Sequence, residues 1–584
     1  MKKAIAIAFV LTATVHADVA QLRRYVTTLA SERFGGRQTG TEGERLAREF
    51  LVAELKKIGA RPLPGQRDLA LPFEFTAGAR DGGTSLSVPG KARALSFSDS
   101  GDVTGALVFA GYGIVVPDSQ DFGYDSYATL DVMDKVVVVL RYFPEDADQK
   151  TRSILARYSD LRYKAMAARQ RGAKAILVVT GPRSPNAGEL VPMTFDTALA
   201  GSGIVAASID RDAGNAIFST AGKALADVQQ SLDSGNPHVA GFDIPTTVTI
   251  RAKVERERHT AYNVAAYLPA TGRPASDKPW IALGAHYDHL GHGENGSSLA
   301  SKEDAGKVHG GADDNASGDA AVLAIAAVLA KQPRPRNVLV AFWSGEELGL
   351  LGSAAFVAAP PVKLADIAAY LNFDMVGRMQ DNKLSVQATG TSTSWGKMIE
   401  QANVKAGFNV SIQADPYQPT DVQTFNLAGV PSLNFFTGAH ADYHKPSDTA
   451  DRIDYEDLNR VVDFAASIAR RIEDTAEPPV FAKVEPQTQG GATRAGVRVF
   501  TGTVPDYASD AKGLLLGGVV AGGPADTAGL QKGDVIVEIA GQTIANIYDY
   551  TYALDVLKIG QPAKVVYMRN GERKETTLTP AARK

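Results

Sequence analysis

The chain has 584 residues, enough for about four domains at roughly 150 residues each. Lys and Arg number 61 against 65 Asp and Glu, a net charge of −4, which excludes a broad basic face for nucleic acid. Apolar residues make up 44% and charged residues 22%, which excludes global disorder, and the absence of cysteine excludes disulfides, thiolate metal sites and cysteine nucleophiles.

Lys2 and Lys3 precede an apolar stretch over 4–15, and Val15-His16-Ala17 supplies small residues for cleavage. This predicts a secretory signal peptide over 1–17, cut after Ala17. The stretch is too short for an ordinary spanning helix, and no other segment reaches about 18 uninterrupted apolar residues. No integral membrane segment is therefore expected after cleavage, and an exported protein (periplasmic, cell-envelope or secreted) is. Residues 18–71 read as helical, because Ala47, Phe50, Leu51, Leu55 and Ile58 recur at helical spacing before Gly59.

Residues 81–252 change texture to short β runs and turns, and no cluster of catalytic residue types falls there. Strands are expected over 105–115, 135–140 and 173–180, and a helix over 158–171. From Thr260 the pattern is strand, loop, helix: strands over 280–285, 337–343, 369–373 and 430–436, and an Ala/Val/Leu/Ile helix over 320–330. The expected fold class is α/β, a mostly parallel or mixed sheet with helices on both faces. Ligands then bind beyond the carboxyl ends of the strands. A Pro- and Gly-marked linker over 474–496 leads to a small β-rich unit over 497–584. The domain reading is thus 18–80 with 253–473 for the α/β part, 81–252 for an insert, and 497–584 at the C-terminus.

Six of the nine histidines fall between His286 and His444, interleaved with acids. Without cysteine, His, Asp and Glu are the ligand set for zinc and related ions. Five short motifs carry them. His286 ends a predicted strand, with Asp288 placed to orient its imidazole. Asp313-Asp314-Asn315 opens a helix, where a carboxylate could bridge two cations or simply cap. Glu346-Glu347 follow another strand, one suited to coordination and the other to general base catalysis. Asp374 ends a third apolar run. His444 lies in a loop with Tyr443, a donor for an oxyanion, and Asp448, an orienting partner. Read alone, each has an ordinary local role as a cap, a loop histidine or a solvated acid. Together, five ligands and a spare glutamate match a two-metal site with one bridging carboxylate.

The strings AHYDHLG, GADDNASG, SGEELGLLGS, NFDMVGR and DYHKPSDT, in this order, resemble the M28 family of co-catalytic zinc aminopeptidases. Phe34-Gly35-Gly36-Arg37-Gln38-Thr39-Gly40 and Asn263-Val264 extend the likeness, which covers about half the chain. The resemblance implies that His286, Asp314 and Asp374 hold one zinc and that Asp314, Glu347 and His444 hold the other, with Asp314 bridging. It implies Glu346 as general base toward a metal-bridging hydroxide, and Tyr443 matches the oxyanion tyrosine of some members. Two Zn2+ ions are the implied cofactors, with manganese or cobalt as other divalent choices, and peptides are the implied substrates, cut at their N-terminal residue. A dizinc carboxypeptidase or dipeptidase on the same scaffold is the alternative, kept open by Arg378. A non-catalytic peptide-binding protein is a remote second alternative.

The insert resembles a protease-associated (PA) domain on its 105–115 and Arg171-Gly172-Ala173-Lys174-Ala175 patterns, and that likeness implies a lid. The C-terminal unit resembles a PDZ domain on Gly522-Gly523-Pro524-Ala525 and the run 528–536. Phe500, Thr501, Gly502 and Thr503 stand where its carboxylate-binding loop would be, which implies a C-terminal peptide ligand. Thr501 departs from the apolar residue usual at its position.

Overall fold

The structure is a computed structural model that describes residues 18–117, 122–193, 201–235, 241–271, 277–294, 297–484, 499–506, 509 and 511–582. The expected export segment and residues 485–496 of the expected linker lie outside the described residues. The chain divides into two compact units. One joins residues up to Phe73 with Ala261–Val484, and the other joins Glu74–Thr260 with the residues from Glu485 onward.

The first unit opens with two helices, Val19–Leu29 and Glu42–Ile58. Asp18 caps the first through its side chain. Thr41 caps the second, and Gly59 ends it in the left-handed region at φ 89°. The helical reading of 18–71 therefore holds only to Ile58. Beyond Gly59 come Pro62 and Pro64-Gly65, which cannot continue a helix, and the chain turns into the strand Ala70–Asp81.

The sheet of this unit has a parallel centre. Val338–Trp343, Trp280–His286, Ile367–Phe373 and Ser432–Phe436 lie side by side in that order, all parallel. Val254–Leu268 and Lys383–Gln387 flank this group antiparallel, so the sheet is mixed. The central strands are apolar on both faces because both faces are covered. Ile281, Leu283, Val340 and Phe342 join one core with Gly318–Ala330 and Tyr455–Asp474. Ala282, Leu339, Ala341 and Trp343 join another with Phe356 and Phe425. Gly318–Ala330 is buried along nearly its whole length, which explains why its sequence is apolar all round.

In the second unit, residues 85–252 build a seven-stranded sheet. Gly101–Phe109, Val136–Leu140, Ala175–Val179 and Val205–Ile209 are its parallel centre. Among the described residues four helices accompany it: Gln149–Arg157, Leu161–Gln170, Arg211–Thr220 and Leu225–Leu232. Residues 499–582 form a small antiparallel domain in which Ala563–Arg569 pairs with Glu572–Leu578, with a short helix at Ile547–Ala553.

Within this unit that helix meets Leu161–Gln170. Arg169 Nη2 lies 2.7 Å from Asp549 Oδ2, with side chains 13% and 4% exposed. Tyr552 donates to Asp160, and its ring meets Tyr163 edge-on.

Candidate metal centre

The side chains singled out in sequence arrive from the carboxyl ends of three adjacent parallel strands and from two loops. His286 is the last residue of its strand. Glu346 and Glu347 follow Trp343 after two residues, and Asp374 follows Phe373 directly. Asp314 sits in the distorted turn Ala312–Ser317 ahead of the apolar helix. His444 lies in the loop after Ser432–Phe436, held at φ 55°.

Asp314 is at the middle. Its Oδ1 lies 3.2 Å from His286 Nε2, and its Oδ2 lies 3.3 Å from His444 Nε2. His286 Nε2 is also 3.6 Å from Asp374 Oδ1 and 4.0 Å from Glu346 Oε2. His444 Nε2 is 3.2 Å from Glu347 Oε2. Each imidazole is oriented through its other nitrogen by a backbone carbonyl: His286 Nδ1 lies 3.2 Å from Asp288 O, and His444 Nδ1 lies 2.9 Å from Ser297 O. Tyr443 stacks on the His444 ring, centroids 3.9 Å apart, and is 37% exposed.

Asp288 and Asp448 do something other than orient imidazoles. The Asp288 carboxylate is 3.8 Å from His286 Nδ1, outside hydrogen-bond reach. It accepts instead from the backbone N–H of Glu346 at 3.1 Å and of Glu347 at 3.4 Å, and from Thr39 Oγ1 at 2.9 Å. Asp448 accepts from the N–H groups of Asp313 and Asp314. Both carboxylates fix the turns that present acids, because main-chain N–H groups in a tight turn have no ladder partner. Asp313 points away from Asp314's partners: its Oδ1 accepts from Gly377 N–H, and His440 Nε2 lies 3.2 Å from its Oδ2.

The N-terminal string does related work. Arg37 is fully buried and donates to four carbonyls, those of Tyr287, Leu29, Gly310 and Gly311. Glu44 accepts from the Tyr287 hydroxyl and from Gly40 N–H. Asn315 donates to Phe373 O and accepts from Gly318 and Met375 N–H, stitching the Asp314 turn to the Asp374 strand end. Gly318 has no room for a side chain, since a Cβ would fall 2.4 Å from both Phe373 O and Asn315 Oδ1. Arg37 reaches Tyr287, Gly310 and Gly311 across 250 to 274 positions and Asn315 reaches Phe373 across 58, so no local pattern announces these links.

The electrostatics call for positive charge. Burial disfavours a charged His286, but Glu346, Asp288, Asp314 and Asp374 outweigh it and hold its pKa well above normal. Burial also opposes charge on His444, yet its contacts with Asp314 and Glu347 push it up to about 11. Burial pushes Glu347 upward and Asp314 adds to that, while hydrogen bonds with His289 and His444 bring it down to about 2. Glu346 is held well above the usual carboxylate range by burial, reinforced by Glu347 and Asp374.

The residues fit a pair of divalent cations. Donor atoms of His286, Asp314 and Asp374 lie within 4.8 Å of one another, and so do those of His289, Asp314 and Glu347. Both sets hold only nitrogen and oxygen donors, and they share one carboxylate. Arg378, by contrast, is engaged: both its terminal nitrogens lie 3.2–3.3 Å from Asp442 Oδ2. In the C-terminal domain, Thr501 and Thr503 both bond to the buried hydroxyl of Tyr550. Phe500 is half-buried and Gly502 adopts φ 72°.

An α/β scaffold with buried acids and imidazoles at adjacent strand ends can hold the metal ions that hydrolases use. Residues 263–469 match the model of peptidase family M28, and residues 517–569 match that of the PDZ domain. The first match spans about a third of the chain and the second lies within its C-terminal domain. It is 27% identical to a probable lipoprotein aminopeptidase of Mycobacterium tuberculosis, over 73% of this chain and 78% of that protein. It is 25% identical to an aminopeptidase of Bacillus subtilis, over 58% of this chain and 66% of that one. A solved zinc aminopeptidase from Bacillus subtilis aligns at 22% identity with a TM-score of 0.47, covering 80% of this chain and 98% of that chain.

Proposed function

We propose that the chain is an exported dinuclear zinc aminopeptidase that removes N-terminal residues from peptides. The observation that carries this reading is the splitting of Asp314: its two oxygens face two different imidazoles, each with its own second carboxylate. His286, Asp314 and Asp374 would hold one ion, and Asp314, Glu347 and His444 the other. When bound, two such ions would supply Lewis acidity and lower the pKa of water towards neutrality.

The side chains do the rest. Glu346 lies beside His286 and is held by its neighbours in a state ready to keep a proton. It takes the proton of the attacking water and returns it to the departing amine. Tyr443 keeps its hydroxyl proton, since burial and then Asp314 and Glu347 raise its pKa, and it donates to the oxyanion. The largely buried carboxylates of Glu346, Glu347 and Asp374 favour a substrate ammonium. Arg378 is held by Asp442, which it shares with Arg452, and this engagement supports an aminopeptidase over a carboxypeptidase. The basic and apolar N-terminus supports export, as does likeness to a protein named a lipoprotein.

Metal analysis together with a pair of substrates tests this. Two zinc ions per chain and hydrolysis of an aminoacyl-anilide, with an N-blocked dipeptide left intact, are the expected results. Full activity after exhaustive chelation would overturn it. Glu346→Gln should retain both ions and lose at least about 10²-fold in kcat.

A further inference from the structure

His289 stands three residues beyond the strand end that delivers His286; a donor atom of it lies near those of Asp314 and Glu347, but the proposed ligand set takes His444 in its place. Its side chain is fully buried. Nδ1 lies 2.7 Å from Glu347 Oε1, while Nε2 has no hydrogen-bond partner. Glu347 is therefore gripped on one oxygen, and its other oxygen, Oε2, faces His444 Nε2 at 3.2 Å. The ring of His289 is set edge-on to that of His444, centroids 5.8 Å apart. Two backbone features fix His289 in place. Its N–H donates to Arg37 O. Gly311 packs against the ring so tightly that a Cβ there would fall 2.5 Å from His289 Cδ2.

A glutamate side chain ordered only by a ligand gives up its rotamer freedom at the moment of binding. With His289 in place that ordering is complete on folding. We infer that His289 is a positioning residue of the second cation site: it donates from Nδ1 to Glu347 Oε1 and thereby presents Oε2 to the ion shared with Asp314 and His444. The inference rests on the dinuclear reading above.

Chelator-competition titrations of zinc on the full chain test it, with His289→Ala and His289→Asn alongside the parent protein. The amide nitrogen of Asn occupies the place of Nδ1 and can donate to the same oxygen. His289→Ala is expected to weaken one of the two ions 10–100-fold and leave the other unchanged. His289→Asn is expected to recover most of that loss. Undiminished affinity for both ions in His289→Ala overturns the inference. So does a His289→Asn protein as weak as His289→Ala, since an amide cannot stand in for an imidazole that ligates or packs. A parent protein that binds fewer than two ions removes the dinuclear reading and this inference with it. Failure of the variants alone leaves that reading standing.

Discussion

At the scale of single residues the centre is organised around one carboxylate. Asp314 serves both halves, whereas Asp374 serves only the His286 half. If the centre holds two ions as proposed, Asp314→Ala is expected to lose both and Asp374→Ala only one, as metal content after dialysis will show. Arg37 is the clearest case of a residue that acts at a distance. Its guanidinium holds four carbonyls, two of them at Gly310 and Gly311 directly before the Asp314 turn. Arg37→Ala leaves those acceptors buried without donors, each at a cost of about 1–3 kcal/mol, so a loss above about 3 kcal/mol is expected in urea unfolding. The candidate ligand types were legible in the sequence because, without cysteine, chemistry restricts them to His, Asp and Glu. The roles of Asp288 and Asp448 were not, because the choice between orienting a ring and holding N–H groups depends on a few tenths of an ångström.

At the scale of elements, the apolar strands were readable from composition alone. Runs such as Val338–Trp343 and Ile367–Phe373 are buried at every position, and only a strand covered on both faces needs that. Their carboxyl ends then place His286, Glu346 and Asp374 together with no further information. Short or irregular elements escaped, among them the turn Ala312–Ser317, whose Asp314 and Asn315 leave helical geometry. The contact between Leu161–Gln170 and Ile547–Ala553 also left no trace in local pattern. It joins residues nearly 400 positions apart through Arg169 and Asp549. Asp549→Ala strands a largely buried guanidinium and frees the Ala545 N–H that Asp549 accepts, so a loss of about 3 kcal/mol is expected in the denaturant midpoint of that unit.

At the scale of the whole molecule, the two units should respond to different solution conditions. Ions held among the acids of the first unit, as proposed, would stabilise it by mass action, so chelation should then lower its melting transition and leave that of the second unit in place. Scanning calorimetry with and without chelator checks this. The second unit has its own titrating group. Lys164 is wholly buried, donates to Leu140 O and Tyr142 O, and burial lowers its pKa from 10.5 to about 7. The unfolded chain then binds more protons than the folded one between these values, so this contribution to stability rises with pH from about 7 to 10.5 and is lost as pH falls through 7. Lys164→Met should flatten that rise in urea midpoints measured at pH 7, 8 and 9.

By itself the amino-acid sequence determined which atoms could do chemistry and which segments must be buried, since both follow from residue type and local spacing. The tertiary structure alone decided that one oxygen of Asp314 faces each imidazole, that His289 grips Glu347, and that Arg378 is already paired. Those facts depend on distances between residues far apart in the chain, and such distances are set by packing of the whole domain, which no local pattern encodes.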